Sequence, residues 1–145
     1  MAKAIAATAT INRPIDEVWA SLTDWEHAPR WMTGIDSMSS SGDTEVGTRL
    51  AFRARGKDRT SEIVALEPGR SVTLRSVQGG VSADYVYRLR EVSPEATAVS
   101  LDATCQTTGL AWRAAGPLIR FAMRRTDGGQ LDALKAQVEG GNSPR

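Results

Sequence analysis

The chain of 145 residues falls within the usual size of one domain. A chain of that length buries roughly 68–70% of its unfolded surface, enough for a core with space left for a cavity. A formal net charge of +1 gives no reason to expect nucleic acid, and the single cysteine, Cys105, excludes an internal disulfide framework and a Cys-rich zinc site. No run approaches the roughly 18 apolar residues of a membrane span, and the opening MAKAIAATAT is too short for a signal peptide. The expectation is a cytoplasmic protein, monomer or homodimer, with no transmembrane segment.

Ala4 to Ile11 reads as a strand, with Ile5, Ala7, Ala9 and Ile11 on one face and Thr8 and Thr10 on the other. Pro14 then suits a first helical position, Asp16 and Glu17 favour the first turn, and Ile15, Val18, Trp19 and Leu22 space out one buried face. The helix breaks between Trp25 and Pro29 and the chain returns to Trp31 and Met32. After Ile35–Met38, the polar cluster Ser39–Asp43 reads as a turn.

Gly47 to Lys57 alternates, with Leu50, Phe52 and Ala54 facing one way and Arg49, Arg53, Arg55 and Lys57 the other. This predicts a half-buried strand with a basic solvent face. Further strands follow over Thr60–Leu66, Val72–Val77, Val81–Glu91 and Thr97–Cys105, punctuated by Pro68-Gly69, Gly79-Gly80 and Ser93-Pro94-Glu95. Val81, Ala83, Tyr85, Tyr87 and Leu89 share one face of the best-alternating strand; Val99, Leu101, Ala103 and Cys105 face inward on the next.

From Trp112 to Val138 the period becomes helical. Leu118, Phe121, Ala122 and Arg125 form a stripe that Leu131, Leu134 and Val138 continue beyond Gly128-Gly129. The result is an α+β chain: a curved antiparallel sheet of about seven strands around a long C-terminal helix, with two short helices after the first strand. It forms a single domain over residues 1–139, followed by a flexible tail over 140–145.

Few residues offer familiar chemistry. His27 is the only histidine, so neither a His-based metal site nor a His-relayed nucleophile has support, and no cofactor or metal is expected. Cys105 reads as a small buried hydrophobe. Tyr85 and Tyr87 are more informative, because a buried phenol needs a hydrogen-bond partner and both alternate inward. Their hydroxyls reach either the sheet edge or backbone carbonyls, or else a ligand in a cavity. Trp31, Phe52, Leu110, Trp112, Leu118 and Phe121 would complete an apolar wall around such a ligand. Leu101 would join that wall, and Ala54, Ala83, Ala103 and Ala122 would leave room for the ligand. Arg125 lies near enough to the inward stripe to anchor an acidic group. No inward pair of carboxylates is apparent, and the catalytic residues, if any, stay unassigned.

The order Ile11-Asn-Arg-Pro14, Val18-Trp19, Leu22-Thr-Asp-Trp25 and Pro29-Arg-Trp31 resembles the opening of START-like (SRPBCC) proteins, in the polyketide cyclase/dehydrase branch. Val46-Gly47-Thr48 before a strand, Leu66-Glu-Pro-Gly69 and Leu134-Lys135 extend the likeness along the chain. The resemblance implies a helix-grip fold that holds a lipid, sterol, polyketide, hormone or quinone between sheet and helix. It carries no universal catalytic residue. Two classes follow: a binder or carrier of a hydrophobic small molecule, and a cyclase/dehydratase using the same cavity. A third, a protein-interaction module with a filled core, uses the outside of the same fold.

Overall fold

A computed structural model describes residues 2–32, 35–54, 56–78, 81–107 and 130–141. Seven strands run β1 (Ala2–Ile11), β2 (Ile35–Ser40), β3 (Arg49–Ala54), β4 (Lys57–Glu67), β5 (Ser71–Gln78), β6 (Val81–Ser93) and β7 (Ala96–Thr107). Every pairing is antiparallel, in the spatial order β1-β7-β6-β5-β4-β3-β2. From β2 to β7 the sheet is thus a meander, as short turns without intervening helices dictate. β1 closes against β7, leaving β1 and β2 as the two edges.

Helix α1 (Ile15–Leu22) buries Val18 and Leu22, with Ile15 and Trp19 packed at the margin of the core. Pro14 is its N-cap with ψ of 151°, one position earlier than the sequence suggests, and its carbonyl accepts from the amides of Glu17 and Val18. A cap has extended backbone and accepts the first helical bonds; proline's fixed φ suits both positions. The break expected at Trp25–Pro29 is a 3-10 helix over Trp25–Arg30, burying Trp25 and Ala28.

Two strand boundaries differ from the alternation reading. β2 runs through Ser40, so the turn begins later than Ser39. The strand read over Gly47–Lys57 is instead a hairpin. β3 ends at Ala54, Gly56 takes a φ of 79°, and β4 starts at Lys57 opposite Ala54. A positive φ favours glycine, and the polar run across the turn had hidden the reversal. The turn at Glu67–Arg70 forms as its Pro-Gly pair predicts, with Gly69 at φ 77° and the Arg70 amide donating to the Glu67 carbonyl.

The C-terminal helix α2 (Gln130–Gly141) buries Leu131, Leu134 and Val138, the stripe read from the sequence. It packs on β1, β7, α1 and the 3-10 helix. These side chains join Ile11, Val18, Leu22, Val99 and Leu101 in one core. The architecture is a helix-grip fold: one antiparallel sheet, short helices at one end, and a C-terminal helix on its inner face. The candidate residues Leu110, Trp112, Leu118, Phe121, Ala122 and Arg125 lie outside the described residues. Among the described residues no helix is long and apolar enough to cross a membrane.

Candidate functional site on the inner face of the sheet

Register fixes which side chains share the inner face. Tyr87 stands opposite Val72 on β5 and Leu101 on β7; Tyr85 stands opposite Leu74 and Ala103. Towards the other edge, Phe52 lies between Met38 and Arg59, and Ala54 between Ile35 and Lys57. Tyr87, Leu101 and Ala103 are sealed, at 1%, 0% and 0% exposure. Phe52, Ala54 and Tyr85 are only partly buried. The floor is therefore closed beneath α1 and α2 and becomes more open towards β3.

Trp31 follows the 3-10 helix and is 2% exposed. Its ring meets Tyr87 edge to face, with centroids 6.0 Å apart and planes at 87°, a favoured aromatic geometry. Of the fourteen expected site residues, the sheet and this turn bring together Trp31, Phe52, Ala54, Ala83, Tyr85, Tyr87, Leu101 and Ala103 on one side of the sheet.

Three polar residues on that face escape the sequence reading. Because β4 starts at Lys57, Arg59 shares the inner face with Phe52, and Ser61 with Leu50. Ser76 lies opposite Ser61, their hydroxyls 2.6 Å apart. The signal lay in Gly56: placing the hairpin turn there, rather than continuing the strand to Lys57, turns Arg59 inward by period-two arithmetic. Arg59 is partly buried, and so is Ser76. Among the described residues, the strand positions of this face carry no Asp or Glu except Glu91, exposed at the rim.

The outer face is not the uniformly basic surface expected from Arg49, Arg53, Arg55 and Lys57: Lys57 pairs with Ala54 at an inner-face position, and Arg55 lies outside the described residues. Glu62 sits between Arg49 and Arg75, and Arg53 bridges Asp58 at 3.0 Å. Arg75 binds Asp84 through both Nε and an amino group, at 2.8 and 2.9 Å, and Arg88 reaches Asp102 at 3.1 Å. Neighbouring strands thus supply the opposite charge, which one strand's alternation cannot reveal. An open trough of ≈ 520 Å³ across β2, β3 and β4 is lined mainly from this side, by Ser37, Ser39, Ala51, Arg53, Asp58 and Thr60. Among the described residues no cluster of His, Cys, Asp and Glu could hold a metal.

A sheet that presents aromatic and small side chains inward beneath a C-terminal helix is the frame of a helix-grip protein. The chain belongs to the polyketide cyclase / dehydrase and lipid transport family, whose pattern matches residues 3–139. Solved structures share the fold at low identity. A Thermus thermophilus protein, TTHA0849, is 18% identical with a TM-score of 0.75, covering 96% of this chain and 99% of its own. The Zhui aromatase/cyclase of Streptomyces sp. R1128 is 18% identical with a TM-score of 0.72, covering 92% of each chain. Norcoclaurine synthase of Thalictrum flavum, in complex with dopamine and hydroxybenzaldehyde, is 14% identical with a TM-score of 0.64, covering 96% of this chain and 87% of its own. No curated protein matches the sequence.

Proposed function

We propose that this protein binds or carries a hydrophobic small molecule, a lipid, polyketide or other aromatic compound, between the inner face of the sheet and the C-terminal segment. The observation that carries this reading is the gradient along the inner face: Tyr87, Leu101 and Ala103 are sealed while Phe52, Ala54 and Tyr85 are not. A face filled throughout by packing would seal Phe52 and Tyr85 as it seals Tyr87. A binding site is mostly apolar with a few polar groups that fix orientation; Tyr85, Arg59 and the Ser61–Ser76 pair supply those here. Leu118, Phe121, Ala122 and Arg125, which share one helical stripe in the sequence, are assigned to the opposite wall together with Leu110 and Trp112.

The family also contains cyclases, and the norcoclaurine synthase and aromatase/cyclase likenesses keep an enzymatic use of the same space in view. Binding alone is favoured because the described inner strand positions carry no carboxylate away from the rim and no histidine. A tyrosine of ordinary pKa, about 10, is a poor acid or base near neutrality. Native mass spectrometry of freshly purified protein is expected to show a retained small molecule. Tyr85→Phe is expected to weaken its affinity about 2- to 10-fold, the worth of one hydrogen bond. Loss of turnover with unchanged affinity in Tyr85→Phe would identify a cyclase instead, and a protein that retains no apolar compound would count against both.

A further inference from the structure

We propose that the Trp31 indole N–H is a specificity determinant that reads a hydrogen-bond acceptor, a carbonyl or phenolic oxygen, on the bound molecule. The inference rests on the hydrophobic-ligand reading above. Trp31 is 2% exposed and its Nε1, itself buried, has no hydrogen-bond partner among the described residues. Nearly all buried polar groups find one, and leaving one unsatisfied is costly. The backbone of the same residue is satisfied, its amide donating to the Ala28 carbonyl at 3.0 Å. Trp25, at the start of the 3-10 helix that Trp31 follows, is a direct contrast: also buried, it donates its indole N–H to Thr44 Oγ1 at 3.0 Å. The segment therefore has the means to satisfy an indole, and at Trp31 it does not.

Position gives the unpaired donor a use. Trp31 packs edge to face on Tyr87, the sealed centre of the inner face. It directly follows the 3-10 helix, which packs on β2 and α2 at one end of the fold. Phenylalanine, though smaller, would keep an aromatic contact without the stranded polar atom. A molecule that offers an oxygen to Nε1 relieves the deficit; a hydrocarbon of the same shape leaves it. Sites built around a buried donor reject analogues lacking the acceptor far more strongly than apolar walls reject a change of size.

Matched pairs of ketone and hydrocarbon test this: 1-tetralone against tetralin, and anthrone against 9,10-dihydroanthracene. The wild-type protein is expected to prefer each ketone, and Trp31→Phe to reduce that preference about 3- to 10-fold while binding of the hydrocarbons barely changes. In case Trp31→Phe fails to fold, the wild-type indole N–H resonance, assigned through its contact with the Tyr87 ring, serves as a second readout. It should move on adding ketone and stay in place on adding hydrocarbon. Binding of both members with an unaltered ratio in the variant, or an indole resonance that no ketone moves, overturns the role of Trp31 and leaves the binding function standing. Failure of all four compounds to bind overturns both.

Discussion

Asp84 is 9% exposed on the outer face of β6, and a carboxylate so placed needs compensation. Arg75 provides it with two hydrogen bonds from the neighbouring strand, and the bonded carboxylate holds the guanidinium still further above its usual pKa, through hydrogen bonding first and charge second. Removing the arginine alone strands an acceptor. Arg75→Met is therefore expected to cost about 1–3 kcal/mol in urea unfolding. Adding Asp84→Leu to it should recover part of that loss, because removing both polar partners is far less harmful than removing one. A double variant less stable than Arg75→Met would show that the pair is not the source. This contact was readable in principle. With Gly79-Gly80 as a two-residue turn, Gln78 faces Val81, and counting back places Arg75 against Asp84. Read strand by strand, Asp84 is merely an outward polar residue.

At the scale of elements, the least sequence-evident contact joins the two ends of the chain. The corner between β1 and α1 is held by α2: the Asn12 amide donates to the Glu139 carboxylate at 2.8 Å, and Arg13 donates to the Glu139 carbonyl at 2.9 Å. Lys135 Nζ donates to the Thr10 carbonyl at 2.6 Å and to the Glu139 carboxylate at 2.8 Å. The Asn12 amide, then Lys135, hold the Glu139 carboxyl below its ordinary pKa. A depressed carboxylate stabilises the fold above its unfolded pKa of about 4.3 and loses that contribution as pH falls through the folded value. Glu139→Gln should therefore lower the melting temperature at pH 7, and the gap from the wild type should close in acid. Thermal melts at pH 7 and pH 3 measure it, and a gap that persists at pH 3 would assign the effect to shape rather than charge. Periodicity reports which face of a helix is buried, so Leu131, Leu134 and Val138 were legible. Which residues of a distant loop that helix binds is a matter of tertiary placement. For the site, alternation placed Tyr85, Tyr87, Leu101 and Ala103 correctly on one face, whereas Arg59 was missed because one misplaced turn inverts every side chain after it.

For the molecule as a whole, the decisive asymmetry is between the two edges of the sheet. An edge strand exposes unpaired amides and carbonyls and must be shielded or kept unattractive. At β1 the helix α2 does the shielding: it packs along the strand, and Lys135 caps the Thr10 carbonyl. At β2 the protection is compositional. The strand reads Ile-Asp-Ser-Met-Ser-Ser, buries only Met38, and rests chiefly on the 3-10 helix. Stability should follow the same gradient, since local opening is easiest where few apolar contacts resist it. Amide hydrogen exchange is expected to be slowest in β6 and β7, whose ladder runs from Val81–Thr107 to Ser93–Ala96 beneath the core, and fastest among the strands in β2. β1, although an edge, should exchange more slowly than β2, and Leu134→Ala, which deletes a fully buried side chain of α2, should narrow that difference. Equal protection of β1 and β2 in the wild type would mean that α2 does not guard its edge, and the inner face would then lack the firm wall at β1 that a selective binding site requires.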